Sequence, residues 1–288
     1  MIKEKLILVL KGFLMGIANV VPGVSGGTLA LVLGIYERFI HALSHFFKNI
    51  KENIVFLGFI FLGIGLSLIT MSNAIDYAYN HFPIPTTLFF MGLVIGGVPL
   101  IFSKVKGKVE MKKTSSWVIF AISFFVVIFM MLSNTIFGEM AEVDFSNMGI
   151  INYLVLFLVG AIAAATMIIP GISGSLVLML LGFYYPIINL VKELTRFNDL
   201  GSNLIIAAVF GLGILVGIVG ISRVVEFLFK RFEVKTYFGV LGFVIASIIA
   251  IPFSAFGEIQ IEWNVIHILI GLVVSVIGAI IAYKLGEK

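Results

Sequence analysis

Val21-Pro22-Gly23-Val24-Ser25-Gly26-Gly27-Thr28 interrupts one apolar run, and Ile169-Pro170-Gly171-Ile172-Ser173-Gly174-Ser175 interrupts another with the same grammar. Proline disfavours helix at the residue before it, glycine permits backbone angles closed to other residues, and serine is a good N-cap for a helix that follows. The apolar stretches around these breaks, about residues 6–40 and 151–191, each exceed one membrane crossing. The halves of each, at about 15 residues or roughly 23 Å, fall short of a roughly 30 Å hydrocarbon core. The pattern therefore predicts two re-entrant hairpins, each entering the bilayer, breaking inside it and returning.

Outward from the breaks, residues 12–40 align without gaps to residues 160–188 at a constant offset of 148, sharing nine identities: Gly12, Pro22, Gly23, Ser25, Gly26, Leu33, Gly34, Tyr36 and Ile40. Chance matching of apolar residues would not select mostly Gly, Pro, Ser and Tyr. The same offset maps Gly63 and Gly65 onto Gly211 and Gly213, and a two-residue drift maps Gly92 onto Gly242. Six ordinary apolar spans complete the chain, at 54–72, 86–102, 117–137, 204–221, 236–251 and 265–283. The expected fold is an all-α polytopic membrane protein of two repeats, 1–148 and 149–288, each a re-entrant broken-helix hairpin plus three transmembrane helices. An odd number of net crossings turns the second copy upside down. Such inverted topology is a plan of secondary transporters, whose discontinuous helices meet near the midplane and whose halves rock to give alternating access.

Composition agrees with a membrane chain. Of 288 residues, 60% are hydrophobic and 12% charged, and the mean hydropathy is +1.17, more apolar than an ordinary soluble core can absorb. The absence of cysteine excludes disulfides, thiolate metal sites and thiol nucleophiles. With a net charge of +4, the basic loops are expected to face anionic membrane lipid, and no nucleic-acid motif is present. Lys3 and Lys5 precede only five apolar residues before Lys11, too short a run for a cleavable signal, so a retained N-terminus is expected. If both hairpins return to their starting side, all but two of the 19 basic residues share one side, in segments 3–11, 38–51, 104–113, 223–235 and 284–288. The other side holds Asp76, Glu139, Glu142, Asp144, Glu258 and Glu262, with Lys192 and Arg196 its basic residues. The positive-inside rule then places both termini in the cytoplasm. The lysine cluster from Lys104 to Lys113 reads as a topogenic loop, and Trp117 and Trp263 as interface anchors.

A helix that begins inside the bilayer has backbone N–H groups in need of partners, tolerable only within protein or facing a polar cavity. Its dipole adds roughly half a positive charge, so two opposed tips suit a phosphate or carboxylate. Candidate binding residues are Pro22, Gly23, Ser25, Gly26, Gly27 and Thr28 in the first break, and Pro170, Gly171, Ser173, Gly174 and Ser175 in the second. Asn19 and Thr166, just before the breaks, can bond substrate or free carbonyls, or serve as interhelical glue. Close packing alone would explain the glycines, but not proline, serine and glycine at fixed spacing in two copies. Arg38 beside Glu37, and Arg223 three residues before Glu226, are candidate charge partners; each equally reads as an ordinary interfacial residue. His41 and His45 stand at i, i+4 with no evident third ligand, so an exposed amphipathic segment is expected there and no metal. Gly23-Val24-Ser25-Gly26-Gly27 also fits the G-x-S-x-G nucleophile pattern of an intramembrane serine protease, with His267 as the available base. No strand precedes Ser25 and Ser173 has no second base, so no catalytic residue is assigned.

Gly12-Phe13-Leu14-Met15-Gly16, the first break and Gly34-Ile35-Tyr36-Glu37-Arg38 together resemble the bacterial polyprenyl-phosphate transporter family, long catalogued as a domain of unknown function. The likeness covers nearly the whole chain. It implies return of undecaprenyl phosphate from the outer to the inner leaflet of the plasma membrane, renewing the lipid carrier for cell-wall polymers. Its implied partners are the polyprenyl-phosphate lipid and a coupling proton or other ion, with no cofactor. Glu37, Glu226 and Asp76 are acidic groups near the membrane that coupling could use. The family pattern commonly has an acidic residue where this chain has Asn19, so no proton-carrying role extends to that position. A small-anion transporter on the same scaffold predicts a sealed central cavity, whereas a lipid carrier needs a groove open to the bilayer.

Overall fold

The computed structural model describes residues 2–20, 25–137, 142–145, 148–197, 199–257 and 264–287. Pro22, Gly23, Glu139, Glu258, Glu262 and Trp263 lie outside the described residues. Among the described residues every regular element is helical. The first half contains α1 (Ile2–Val20), α2 (Gly26–Val32), α3 (Tyr36–Ser44), α4 (Ile50–His81), α5 (Pro83–Ser103) and α6 (Thr114–Phe137). The second contains α7 (Ile150–Ile168), α8 (Gly174–Leu180), α9 (Tyr184–Thr195), α10 (Leu200–Gly257) and α11 (Val265–Gly286). Because α10 kinks at Phe232 (φ −135°, ψ 44°), it has two limbs, and each holds one of the expected spans. α4, α5, α6, α7, α10 and α11 are long and apolar enough to cross a membrane. Their outward faces carry side chains such as Leu269, Val273, Val276 and Ile280, all about half exposed. Apolar surface this broad belongs in hydrocarbon; the chain is a multi-pass membrane protein.

The hairpins depart from the equal limbs expected from sequence. α1 and α7 each run 19 residues, about 28 Å at 1.5 Å per residue, whereas the returning limbs α2 and α8 have seven residues each. Glycine is the reason. Gly34 (φ 71°) and Gly182 (φ 74°) take the left-handed conformation, while Ile35 N–H reaches the Ala30 carbonyl and Phe183 N–H the Leu178 carbonyl. This six-to-one bond closes a helix with a Schellman turn. Past it, α3 and α9 turn away, with an angle of 107° between α8 and α9.

Glycines also set how closely the long helices approach. A methyl on Gly12 would overlap the Ile60 carbonyl, and one on Gly63 the Val9 carbonyl, so α1 lies directly on α4. The same contacts recur where α7 meets the first limb of α10, between Gly160 and Phe210 and between Gly213 and Phe157. Position 60 thus answers to 210, and Gly63 to Gly213, an offset of 150. Gly65 and Gly211 face open space. The constant-offset pairing of Gly63 with Gly211 is therefore corrected, because two extra residues enter the second half before α10. Beyond that point the offset of 150 persists. Phe82 (φ −135°, ψ 55°) matches the kink at Phe232. Thr86 Oγ1 donates to the carbonyls of Ala78 and Phe82, as Thr236 Oγ1 does to those of Leu228 and Phe232.

One end of the bundle gathers the basic segments. Lys108 meets Glu233 at 2.8 Å, Lys104 meets Glu37 at 3.6 Å, and Gly34 abuts the Gly286 carbonyl. The Gly182 corner instead accepts from Val143 N–H at 3.1 Å, in the segment that follows α6 at the opposite end. The two hairpins therefore turn at opposite ends of the bundle.

Candidate functional site

The two breaks touch. Gly171 N–H donates to Thr28 Oγ1 at 2.7 Å, and a methyl on Gly27 would stand 2.7 Å from the Ile168 carbonyl oxygen. Tyr36, buried at the foot of α3, donates its hydroxyl to that same carbonyl at 3.1 Å. Gly171 itself needs its glycine twice over, since φ is 82° and an added methyl would meet the Phe243 backbone. A point where α7 ends and α2 begins is thereby fixed inside the bundle.

The sequence-derived candidates divide by what they touch. Ser25 caps α2 by accepting from Gly27 N–H at 3.2 Å. Ser173 caps α8, accepting from Leu176 N–H at 3.5 Å, and its hydroxyl lies 2.8 Å from that of the exposed Ser175. Asn19 reaches over Gly26, where a methyl would stand 2.6 Å from the carboxamide oxygen. Gly174 packs against Met167 and Ala163. Thr166 turns to its own helix, donating to the Ala163 carbonyl at 2.8 Å. Arg38 pairs with Glu52 at 3.8 Å and lies over the Phe56 ring, on the basic end rather than at the breaks. Glu37 pairs elsewhere too, receiving the Tyr237 hydroxyl as well as Lys104. Arg223 is exposed. His267 packs edge-on against Phe82, with ring centroids 5.7 Å apart, and no Ser–His contact occurs among the described residues of the breaks.

Two groups escaped the sequence reading. Lys11, at 3% exposure, donates to the Leu33 carbonyl at 2.6 Å. It places a cation on the closing carbonyls of α2, where the helix dipole favours one. In sequence it is a topogenic charge; the available signal is its solitary position within an apolar run. Tyr36 is one of the nine repeat identities, but its bond to α7 depends on the tertiary approach.

A groove of about 430 Å³ runs between α6 and the two limbs of α10. Lys235 and Thr236 stand at one end, and Ile169 and Pro170 of the second break at the other, with Tyr36 alongside. Its wall residues Val224 (52% exposed) and Leu228 (37%) reach the outer surface, so the groove opens sideways toward lipid. It is otherwise lined almost entirely by apolar side chains.

At the basic end, Glu226 of α10 collects groups from α3 and from His45, its C-cap. His41 Nδ1 lies 2.8 Å from Glu226 Oε1 and His45 Nδ1 lies 2.9 Å from Oε2. Lys230 Nζ is 2.7 Å from Oε1, and the Ser44 hydroxyl donates to Oε2. The expectation that the histidine pair lacks a third donor is corrected here. Glu226 comes from the other half of the chain, so spacing along the sequence could not reveal it.

Residues 15–268 match a family described as undecaprenyl phosphate translocase-like. A polyprenyl-phosphate transporter of Staphylococcus aureus is 32% identical over 284 residues, covering 98% of this chain and 96% of that protein. A polyprenyl-phosphate transporter of Vibrio cholerae is 31% identical over 259 residues, covering 83% of this chain and 75% of that protein. No solved structure matches the chain.

Proposed function

The chain belongs to the undecaprenyl phosphate translocase-like family, and from that premise we propose that it carries undecaprenyl phosphate from the outer to the inner leaflet of the bacterial plasma membrane, returning the lipid carrier for cell-wall assembly. It is a transporter and not an enzyme, as the Staphylococcus aureus and Vibrio cholerae relatives are named. The observation that carries the reading is the sideways-open groove joining the basic end to the second break. The apolar wall of the groove suits a polyprenyl tail, while the phosphate headgroup needs polar partners, which Lys235 and the adjoining break supply. A small-anion carrier would need no lateral opening.

In this reading the breaks receive the headgroup through backbone N–H groups and hydroxyls: Ser25, Gly26 and Gly27 with Asn19 on one side, Ser173, Gly174 and Ser175 on the other. Thr28 and Gly171 hold the two together. The basic end faces the cytoplasm, where its lysines meet anionic lipid and Glu37 and Glu226 are the acidic groups closest to a coupling ion. Residues 1–148 and 149–288 act as inverted repeats that rock about the Thr28–Gly171 contact. Support comes from the hairpin corners at opposite ends and the matched Phe82 and Phe232 geometries.

Because the chain has no cysteine, a single one can be placed at will. Val224→Cys, reconstituted in proteoliposomes, is expected to transfer a labelled polyprenyl phosphate between leaflets until a bulky maleimide fills the groove, after which transfer falls at least tenfold. Leu269→Cys, exposed on α11, is expected to tolerate the same label. Undiminished transfer by labelled Val224→Cys would rule the groove out as the route.

A further inference from the structure

His41, His45 and Glu226 offer two imidazole nitrogens and one carboxylate oxygen that all lie within 4.8 Å of one another. We infer that these three residues form a binding site for one divalent transition-metal ion of the zinc class, clamping α3 of the first half to α10 of the second. The inference is independent of the transport reading, since it concerns binding alone.

Four observations carry it. His41 lies in the last turn of α3 and His45 is its C-cap, with rings stacked at 4.9 Å, so both present nitrogens to the same side. Both oxygens of Glu226 already face them, at 2.8 and 2.9 Å. A tetrahedral zinc ion with bonds of about 2.0–2.2 Å sets ligand atoms roughly 3.3–3.5 Å apart. The two nitrogen–oxygen pairs need to lengthen by about half an ångström and the widest pair to close by about 1.5 Å at most, which side-chain rotation can supply. The donor set also selects the ion: magnesium and calcium require mostly oxygen ligands, whereas two imidazoles and a carboxylate suit zinc, nickel or cobalt. Finally, a cavity of about 270 Å³, bordered by Glu37, Lys230 and Glu233, adjoins His41 and Glu226. It leaves room for water or another small ligand at a fourth position.

The Lys230 ammonium now occupies the neighbourhood of Glu226 Oε1 at 2.7 Å. Its side chain is 66% exposed, so it can swing into solvent when a dication takes its place. Lys230 is thus a competitor, and its removal should strengthen metal binding.

The test uses tag-free, chelator-treated protein in detergent, titrated with Zn²⁺ against a chromogenic chelator. Wild type is expected to take one equivalent, with His41→Ala, His45→Ala and Glu226→Gln each weakening binding at least tenfold. Lys230→Ala is expected to bind more tightly, and His81→Ala, at the opposite end of the bundle, as wild type. Cobalt substituted for zinc is expected to give the visible absorption of a tetrahedral nitrogen–oxygen site. Failure of wild type to bind one equivalent overturns the inference, whatever the folding of the variants. So does wild-type affinity in well-folded His41→Ala or Glu226→Gln protein, or no gain in Lys230→Ala.

Discussion

Thr28 is 1% exposed and accepts from Gly171 N–H, the donor of a residue already held in a left-handed conformation. Its chemistry suggests a headgroup ligand in sequence, yet in the fold its hydroxyl oxygen satisfies a neighbouring break. A partly buried N–H deprived of its acceptor loses about 1–3 kcal/mol. Thr28→Val keeps the shape and removes the acceptor, so it is expected to destabilise the protein by about that amount, seen as a lower thermal-unfolding midpoint in detergent. Thr28→Ser should recover most of the loss. Ser175→Ala, at an exposed position whose hydroxyl meets that of Ser173, is expected to stay within about 0.5 kcal/mol of wild type. If Thr28→Val unfolds as wild type does, the breaks do not depend on this bond. Lys11 belongs to the same class: a polar side chain whose partner is a carbonyl freed by a helix ending inside the bundle.

At the scale of helices, glycine divides into positions that permit contact and positions that merely occur. Gly63 and Gly213 lie against the backbones of α1 and α7, while Gly65 and Gly211 have open space before them. Gly63→Ala and Gly213→Ala are expected to force the helices apart and lower the unfolding midpoint. Gly65→Ala and Gly211→Ala gain up to about 1 kcal/mol by removing glycine from a helix interior. The reverse ranking in a thermal-shift series would restore the constant-offset register. This division also shows how much was legible beforehand. The spans were readable because a membrane helix needs a long apolar run, and the breaks because proline, glycine and serine at fixed spacing have a local mechanical meaning. Limb length was not, since apolar residues continue past Gly34 and only the Schellman geometry stops α2. Nor was the register of α4 against α10, because the two extra residues enter the connection between α9 and α10, where the two halves share too little sequence to mark an insertion. Of the site, the breaks themselves were legible; the direct bond between Gly171 and Thr28 and the partners of Lys11 and Glu226 were not, since each lies across a tertiary interface.

For the whole molecule, the decisive quantity is where charge sits relative to the membrane. Ion pairs between Lys108 and Glu233 and between Lys104 and Glu37, with the hydrogen-bonded cluster of His41, His45 and Glu226, bring segments from both halves to one end. Lys192 and Arg196 lie on α9 and its C-cap, beyond the Gly182 corner at the other end. A basic surface of this kind is retained on the cytoplasmic side during insertion, and it would there attract anionic lipid. Exposed Lys106 and Arg196 report the two ends. In intact bacterial cells, a membrane-impermeant maleimide is expected to label Arg196→Cys and to spare Lys106→Cys until the cells are opened. Labelling of Lys106→Cys alone would put the basic end outside. The groove mouth at Lys235 would then face the outer leaflet, and the proposed direction of lipid return would have to begin where it is now drawn to end.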